Sequence, residues 1–269
     1  MISAADLVAR LGDPGLRVLD VRGALADPAA GRAAWLAGHV PGAAYLDVTA
    51  ELSDPDDPVA GQLGSLEQVI AALGRAGVGP GDEVVAYDDG ELFLAPRLAW
   101  ACEVLGLPEV HVLDGGWPVW QAGGHPVASG GDDAPAPAAG PAPAREPQPQ
   151  LRLSVDDVRA GDRRPVDCRM PATWNAAGAH IPGAAWLPST ATLDPERGVL
   201  ADPGRLRALA EEAGLRPDEP LALYCGGGVS ATQVLIALRA AGYEDLAVYD
   251  GSWAEWSAQP SLPQERHDG

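Results

Sequence analysis

One stretch of the chain concentrates the chemistry: Leu221-Ala-Leu-Tyr224-Cys225-Gly226-Gly227-Gly228-Val229-Ser230-Ala231. An apolar, strand-like run ends in a cysteine, three glycines follow, and a helix-like run from Ala231 to Ala241 begins. Glycine accepts dihedrals that side chains resist, so Gly226, Gly227 and Gly228 can turn successive N–H groups toward one point. That point also lies at the positive end of the following helix. A thiolate is stabilised in such a place, and the thiolate is the nucleophilic form of cysteine. A persulfide is an anion that the same ring, completed by Val229 and Ser230, would hold. The competing reading is a tight structural turn beside a small core cysteine.

The elements that must position this sulfur alternate along the chain. In the second half, helices are expected near 154–160, 202–213 and 231–241, and strands near 165–167, 184–187, 220–224 and 246–249. Such alternation predicts an α/β fold, a parallel-sheet core with helices on both faces. Functional loops then sit at the carboxyl ends of strands, where Cys225 falls. The other two cysteines read as core: Cys168 ends the Val-Asp-Cys-Arg strand, and Cys102 lies in a helical run from Ala95 to Leu105.

The first half repeats the second. Asp20-Val-Arg22 answers to Asp167-Cys-Arg169, and His39-Val-Pro-Gly-Ala to His180-Ile-Pro-Gly-Ala. Val85-Ala-Tyr87-Asp88 answers to Ala222-Leu-Tyr224-Cys225, so Asp88 stands at the cysteine position. Asp114-Gly-Gly-Trp117 with Trp120 answers to Asp250-Gly-Ser-Trp253 with Trp256. The unit is far longer than a solenoid repeat, which points to duplication of a whole domain. The expected division is a domain over 1–127, a Pro-, Ala- and Gly-rich linker over 128–150, and a second domain over 151–269. Arg22 and Arg169 read as braces for the Asp at each strand end; the alternative for Arg169 is to help hold an anionic substrate. His39 and His180 read as donors to nearby carbonyls or carboxylates. Trp253 and Trp256 either wall a pocket over Cys225 or simply pack.

Composition removes several function classes. A balance of 18 basic against 38 acidic residues gives a net charge of −20, which argues against nucleic acid and anionic membrane surfaces. The chain has no lysine, so lysine nucleophiles and Schiff bases are excluded. Three cysteines form neither a disulfide framework nor a metal-ligand pattern. The N-terminus lacks a basic region followed by an apolar core, and no run is long enough to span a bilayer. A reducing cytoplasm is the expected compartment, and it would keep Cys225 free.

Together these ordered, doubled motifs resemble the rhodanese superfamily in its tandem sulfurtransferase form, over nearly the whole chain apart from the linker. The loop Cys225-Gly-Gly-Gly-Val-Ser-Ala231 is similar to the Cys-Gly-Ser-Gly-Val-Thr-Ala of thiosulfate and 3-mercaptopyruvate sulfurtransferases. The resemblance implies double displacement: Cys225 takes sulfur from a small donor, becomes a persulfide, and yields the sulfur to cyanide or a thiol. It implies no metal or organic cofactor. A protein-bound persulfide is an alternative donor.

The chain also departs from that family. The arginine usually found four residues after Asp-x-Arg is Thr173, and a second, before the His-Ile-Pro-Gly segment, is missing around Asn175–Gly178. The loop serine of the mercaptopyruvate group is Gly227, and residues 226–230 carry no base. An acidic contribution from the first domain is expected at Asp47, with its histidine partner lost near Gly61. Thiosulfate-type transfer is the expected activity, with 3-mercaptopyruvate transfer or a non-catalytic binding module as alternatives. A phosphatase of similar fold would need an arginine closing the loop, and none occurs before Arg239.

Overall fold

The computed structural model describes residues 1–23 and 28–267. It divides into two compact units. The first comprises Met1–Pro55, Leu63–Gln148 and Glu196–Val199; the second comprises Asp56–Gln62, Pro149–Pro195 and the chain from Leu200 onward. The two short excursions, 56–62 and 196–199, leave and return through antiparallel bridges, Ser53 to Leu63 and Leu193 to Leu200.

In the first unit, β1 (Leu16–Asp20), β2 (Ala44–Tyr45), β3 (Glu83–Tyr87) and β4 (Val110–Val112) form a sheet in the order β2-β1-β3-β4. In the second unit, β5 (Arg152–Leu153), β6 (Arg164–Asp167), β8 (Ala185–Trp186), β9 (Leu221–Tyr224) and β10 (Leu246–Tyr249) form the order β5-β10-β9-β6-β8. All these pairings are parallel. Parallel neighbours need crossover connections, and here helices supply them. The helices Val155–Ala160, Pro203–Glu212 and Ser230–Ala240 match the sequence reading closely. A further pair, β7 (Ala179–His180) with β11 (Glu265–Arg266), is antiparallel and was not expected.

The cores repeat as the sequences do. Val40, Val85, Tyr87, Trp117 and Trp120 cluster in the first unit; Ile181, Ala222, Tyr224, Tyr249 and Trp256 cluster in the second. Strands buried on both faces read as continuous apolar runs, which is why Leu221–Tyr224 is wholly buried.

The segment expected to be a linker corrects the sequence reading, because residues 128–148 group with the first unit. Composition misleads here because the hold is made by backbone. Ala138 N donates to Gly74 O (2.8 Å), Ala144 N to Gly106 O (2.9 Å) and Gln148 N to Val104 O (3.0 Å). The approach is close enough that a Cβ on Gly74 would meet Ala138 O at 2.8 Å. Asp133 adds a side-chain tether, accepting from Gly42 N at 2.7 Å and lying 2.9 Å from His39 Nε2. No helix among the described residues is long and apolar enough to cross a membrane.

Candidate active site

The carboxyl ends of β6, β9 and β10 converge around Cys225. Register sets Asp167 beside Tyr224, so the residues after them, Cys168 and Cys225, are neighbours across the strands. Cys168 N donates to Tyr224 O at 2.7 Å. Asp167 is fully buried and takes Arg169 Nε at 2.9 and 3.0 Å and Nη2 at 2.6 Å. Arg169 Nη2 also donates to Ala179 O (2.8 Å). The sequence expectation that Arg169 braces the strand-end carboxylate describes this geometry. Its guanidinium lies 4.6 Å from the Trp253 ring and 5.3 Å from the Trp174 ring.

Cys225 is held through its backbone. Its N–H donates to Ser252 Oγ (3.0 Å), and its carbonyl accepts from Trp253 N (3.0 Å). Gly226 O accepts from Ala254 N (2.9 Å). The loop is thus pinned to the Asp-Gly-Ser-Trp turn, which explains why these two motifs travel together in both halves. Ser252 adopts a left-handed φ of 52°, matching Gly116 at 54° in the first unit. A serine accepts that strain where its hydroxyl is needed: it receives Cys225 N–H and donates to Tyr249 O at 2.9 Å. Ser252→Ala strands a buried N–H, and a loss of about 1–3 kcal/mol in urea denaturation is expected. An unchanged midpoint would show that the hydroxyl is dispensable.

Cys225 is 2% exposed while Gly226 is exposed, so a reagent must approach from the loop side. Of the three glycines, Gly228 alone needs glycine's dihedral freedom, with φ 78°. Gly226 and Gly227 leave open space instead: a Cβ on either would meet no atom within 4 Å. Val229 and Ser230 lead directly into the helix Ser230–Ala240, whose first N–H groups face the loop.

The first unit displays how such a loop holds a buried acceptor. Asp88, at the cysteine position, is buried, and its carboxylate accepts four backbone N–H groups: Gly90 (3.0 Å), Leu92 (3.3 Å), Leu94 (3.1 Å) and Ala95 (3.1 Å). Burial pushes its carboxyl up, and these amides oppose that shift. Asp88, which the sequence places at the cysteine position, is a buried carboxyl caught in a cradle of amides.

The other thiols sit apart from such chemistry. Burial pushes the Cys102 thiol up to about 12. Burial, then the neighbouring Cys225 and Asp167, pushes the Cys168 thiol well above its ordinary value. His39 Nδ1 donates to Trp35 O (2.8 Å) and His180 Nδ1 to Ile181 O (2.9 Å), as expected of bracing histidines. Trp256 is 3% exposed and its Nε1 donates to Pro263 O (2.9 Å), so it packs, whereas half-buried Trp253 faces Arg169. A cleft of about 440 Å³ lined by Val158, Arg163, Arg164 and Pro263 contains no nucleophile.

The model of the rhodanese-like domain matches this chain twice, over residues 3–123 and 154–259. The chain belongs to the rhodanese family. A putative thiosulfate sulfurtransferase, SseB, of Mycobacterium tuberculosis is 33% identical over 283 residues, covering 99% of this chain and 96% of the relative. A 3-mercaptopyruvate sulfurtransferase of Escherichia coli is 31% identical over 279 residues, covering 98% and 97%. The crystal structure of SseA, a 3-mercaptopyruvate sulfotransferase from Escherichia coli, superposes with a TM-score of 0.82 at 29% identity, covering 94% of this chain and 98% of that one.

In this rhodanese-family chain, Thr173 is exposed and its hydroxyl donates to Met170 O (2.9 Å), so it supplies no positive charge. Asp47 lies in the first unit, where its Oδ1 caps the helix Val48–Glu51 by accepting from Thr49 N (3.1 Å), Thr49 Oγ1 (2.8 Å) and Ala50 N (3.0 Å). Gly61 belongs to the second unit and lies near the loop after Cys225: its Cβ, if present, would be 3.7 Å from Gly227 O. Sequence reasoning saw in that segment only a lost histidine.

Proposed function

We propose that this chain, a tandem-domain sulfurtransferase, carries sulfane sulfur on Cys225, from a small anionic donor such as thiosulfate to a cyanide or thiol acceptor. The Cys225 thiolate attacks the outer sulfur of thiosulfate, an S–S bond forms, and sulfite leaves with the electron pair of the bond that breaks. Cyanide then attacks the outer sulfur of the persulfide, giving thiocyanate and restoring the thiolate. Both steps are displacements, and no electron carrier enters the balance. The observation that carries the reading is the Asp88 cradle, since the loop after Cys225 is its counterpart and can stabilise thiolate and persulfide by the same amides. Gly226, Gly227, Gly228, Val229 and Ser230 supply that loop, and Trp253 with Arg169 flanks it. Asp47 is proposed only as a first-unit contribution, and the cytoplasm as the compartment.

Thr173 removes one guanidinium from the donor, and the missing segment before Gly178 removes another. A charge-assisted hydrogen bond is worth roughly 1.5–3 kcal/mol, so a small anion loses orders of magnitude of affinity. A KM for thiosulfate in roughly the millimolar range is therefore expected. The test offers thiosulfate, 3-mercaptopyruvate and glutathione persulfide separately, each with cyanide, and reads thiocyanate. Formation from none of the three overturns sulfur transfer; a low-micromolar KM for thiosulfate overturns the weakened grip.

A further inference from the structure

The two halves differ at the residue after the anion position. In the first unit that residue is Asp89, and its carboxylate and the Arg22 guanidinium act on each other. Burial pushes the Asp89 carboxyl up, and the Arg22 charge opposes it. In the second unit the corresponding residue is Gly226.

Arg169 is otherwise held as Arg22 is. Arg22 gives Nε and Nη2 to Asp20, Nη2 to Gly38 O (2.6 Å), and its guanidinium lies 4.4 Å from the Trp117 ring. Arg169 gives Nε and Nη2 to Asp167, Nη2 to Ala179 O, and lies 4.6 Å from Trp253. Yet Arg169 is 2% exposed, and its Nη1 is buried with no hydrogen-bond partner. A buried guanidinium N–H group left unpaired is costly and marks a place where an acceptor belongs. Gly226 itself is exposed, and nothing lies within 4 Å of a Cβ placed on it, so the loop carries no side chain of its own at that position.

We infer that Gly226 opens an anion subsite at Arg169 Nη1, where the oxyanion of a small sulfur donor takes the place that the Asp89 carboxylate occupies in the first unit. The inference deepens the reading of Cys225 as sulfur carrier and rests on it. The ligand class is a small molecule whose carboxylate or sulfonate-like group lies a few bonds from the transferable sulfur. Thiosulfate and 3-mercaptopyruvate both carry that pairing. Arg169 thereby supplies the one guanidinium of the grip that Thr173 lacks, and Gly226 becomes a specificity-determining residue: any acidic side chain there would fill the subsite from within.

Gly226→Asp restores the first-unit arrangement without steric cost, since Gly226 has no left-handed φ and its surroundings are open. Rates of Cys225 alkylation are measured with anionic iodoacetate and neutral iodoacetamide, and their ratio is compared with that for glutathione. In the wild type the ratio exceeds that of glutathione. It falls about tenfold or more in Gly226→Asp, and stays within about twofold of wild type in Gly226→Ala. The KM values for thiosulfate and 3-mercaptopyruvate rise with the same ranking. A ratio that Gly226→Asp leaves unchanged, or that Gly226→Ala lowers equally, overturns the subsite while leaving Cys225 chemistry intact. Failure of iodoacetamide to label Cys225 in the wild type at neutral pH is a different result, and it removes the sulfur-carrier reading itself.

Discussion

Replacing Cys225 by serine abolishes donor-dependent thiocyanate formation, a loss expected to reach about a thousandfold or more. The serine hydroxyl fits the space, but its alkoxide is not populated at neutral pH and it cannot store sulfane sulfur. The remaining thiols cannot substitute. Cys102 is buried with its thiol pushed up to about 12, and Cys168 is pushed well above its ordinary range. Intact mass after exposure to donor should show one added sulfur on the wild type and none on Cys225→Ser. Cys168→Val provides the matched control, because Val21 holds that place in the first unit. It should keep both the added sulfur and the turnover. Retained turnover in Cys225→Ser would move the chemistry elsewhere.

What could be read before any coordinates was whatever one element or one motif encodes. The run Leu221–Tyr224, the glycines and the helix from Ser230 announce a strand–loop–helix because apolarity, dihedral freedom and helix propensity change in turn along a dozen or so positions. The doubled motifs announced two parallel sheets for the same reason. Three features stayed hidden, each because it depends on residues distant in sequence. The strap over 128–148 is held by backbone groups, and composition is blind to those. Segment 56–62 joins the second unit, and nothing in Gly61 itself says so. The orphaned Nη1 of Arg169 becomes visible only against Arg22, since its meaning lies in what Gly226 lacks. That last signal was present in the alignment of the halves, where Asp88-Asp89 faces Cys225-Gly226, but it needed the guanidinium's position to be legible.

Asp167→Ala is expected to cost about 3–5 kcal/mol of stability, because it leaves the Arg169 guanidinium buried without its counter-charge. Both members of the pair are nearly inaccessible, at 0% and 2% exposure, so solvent cannot compensate. The loss spreads further. Asp167 also accepts from the Tyr224 hydroxyl, which in turn receives Ile181 N–H at 3.1 Å, so one carboxylate ties three strand ends together. Burial and the Asp167 charge both raise the Tyr224 phenol, which keeps it a donor at every working pH. Asp20→Ala makes the matched comparison: Asp20 receives Tyr87 Oη–H at 2.6 Å and Arg22 at 2.6 Å in the same pattern. Urea titrations should give similar losses for the two variants, since the two networks are copies. Their chemistry should separate. Freed from Asp167, Arg169 no longer holds Nη1 in a fixed place, so Asp167→Ala should lose the preference of Cys225 for iodoacetate over iodoacetamide. Asp20→Ala should retain that preference, because it unbraces Arg22 in the first unit and leaves the Asp167–Arg169 pair as it is. Equal loss of anion preference in both variants would mean that the brace acts through stability alone, and that the second unit owes its chemistry to the loop amides without help from Arg169.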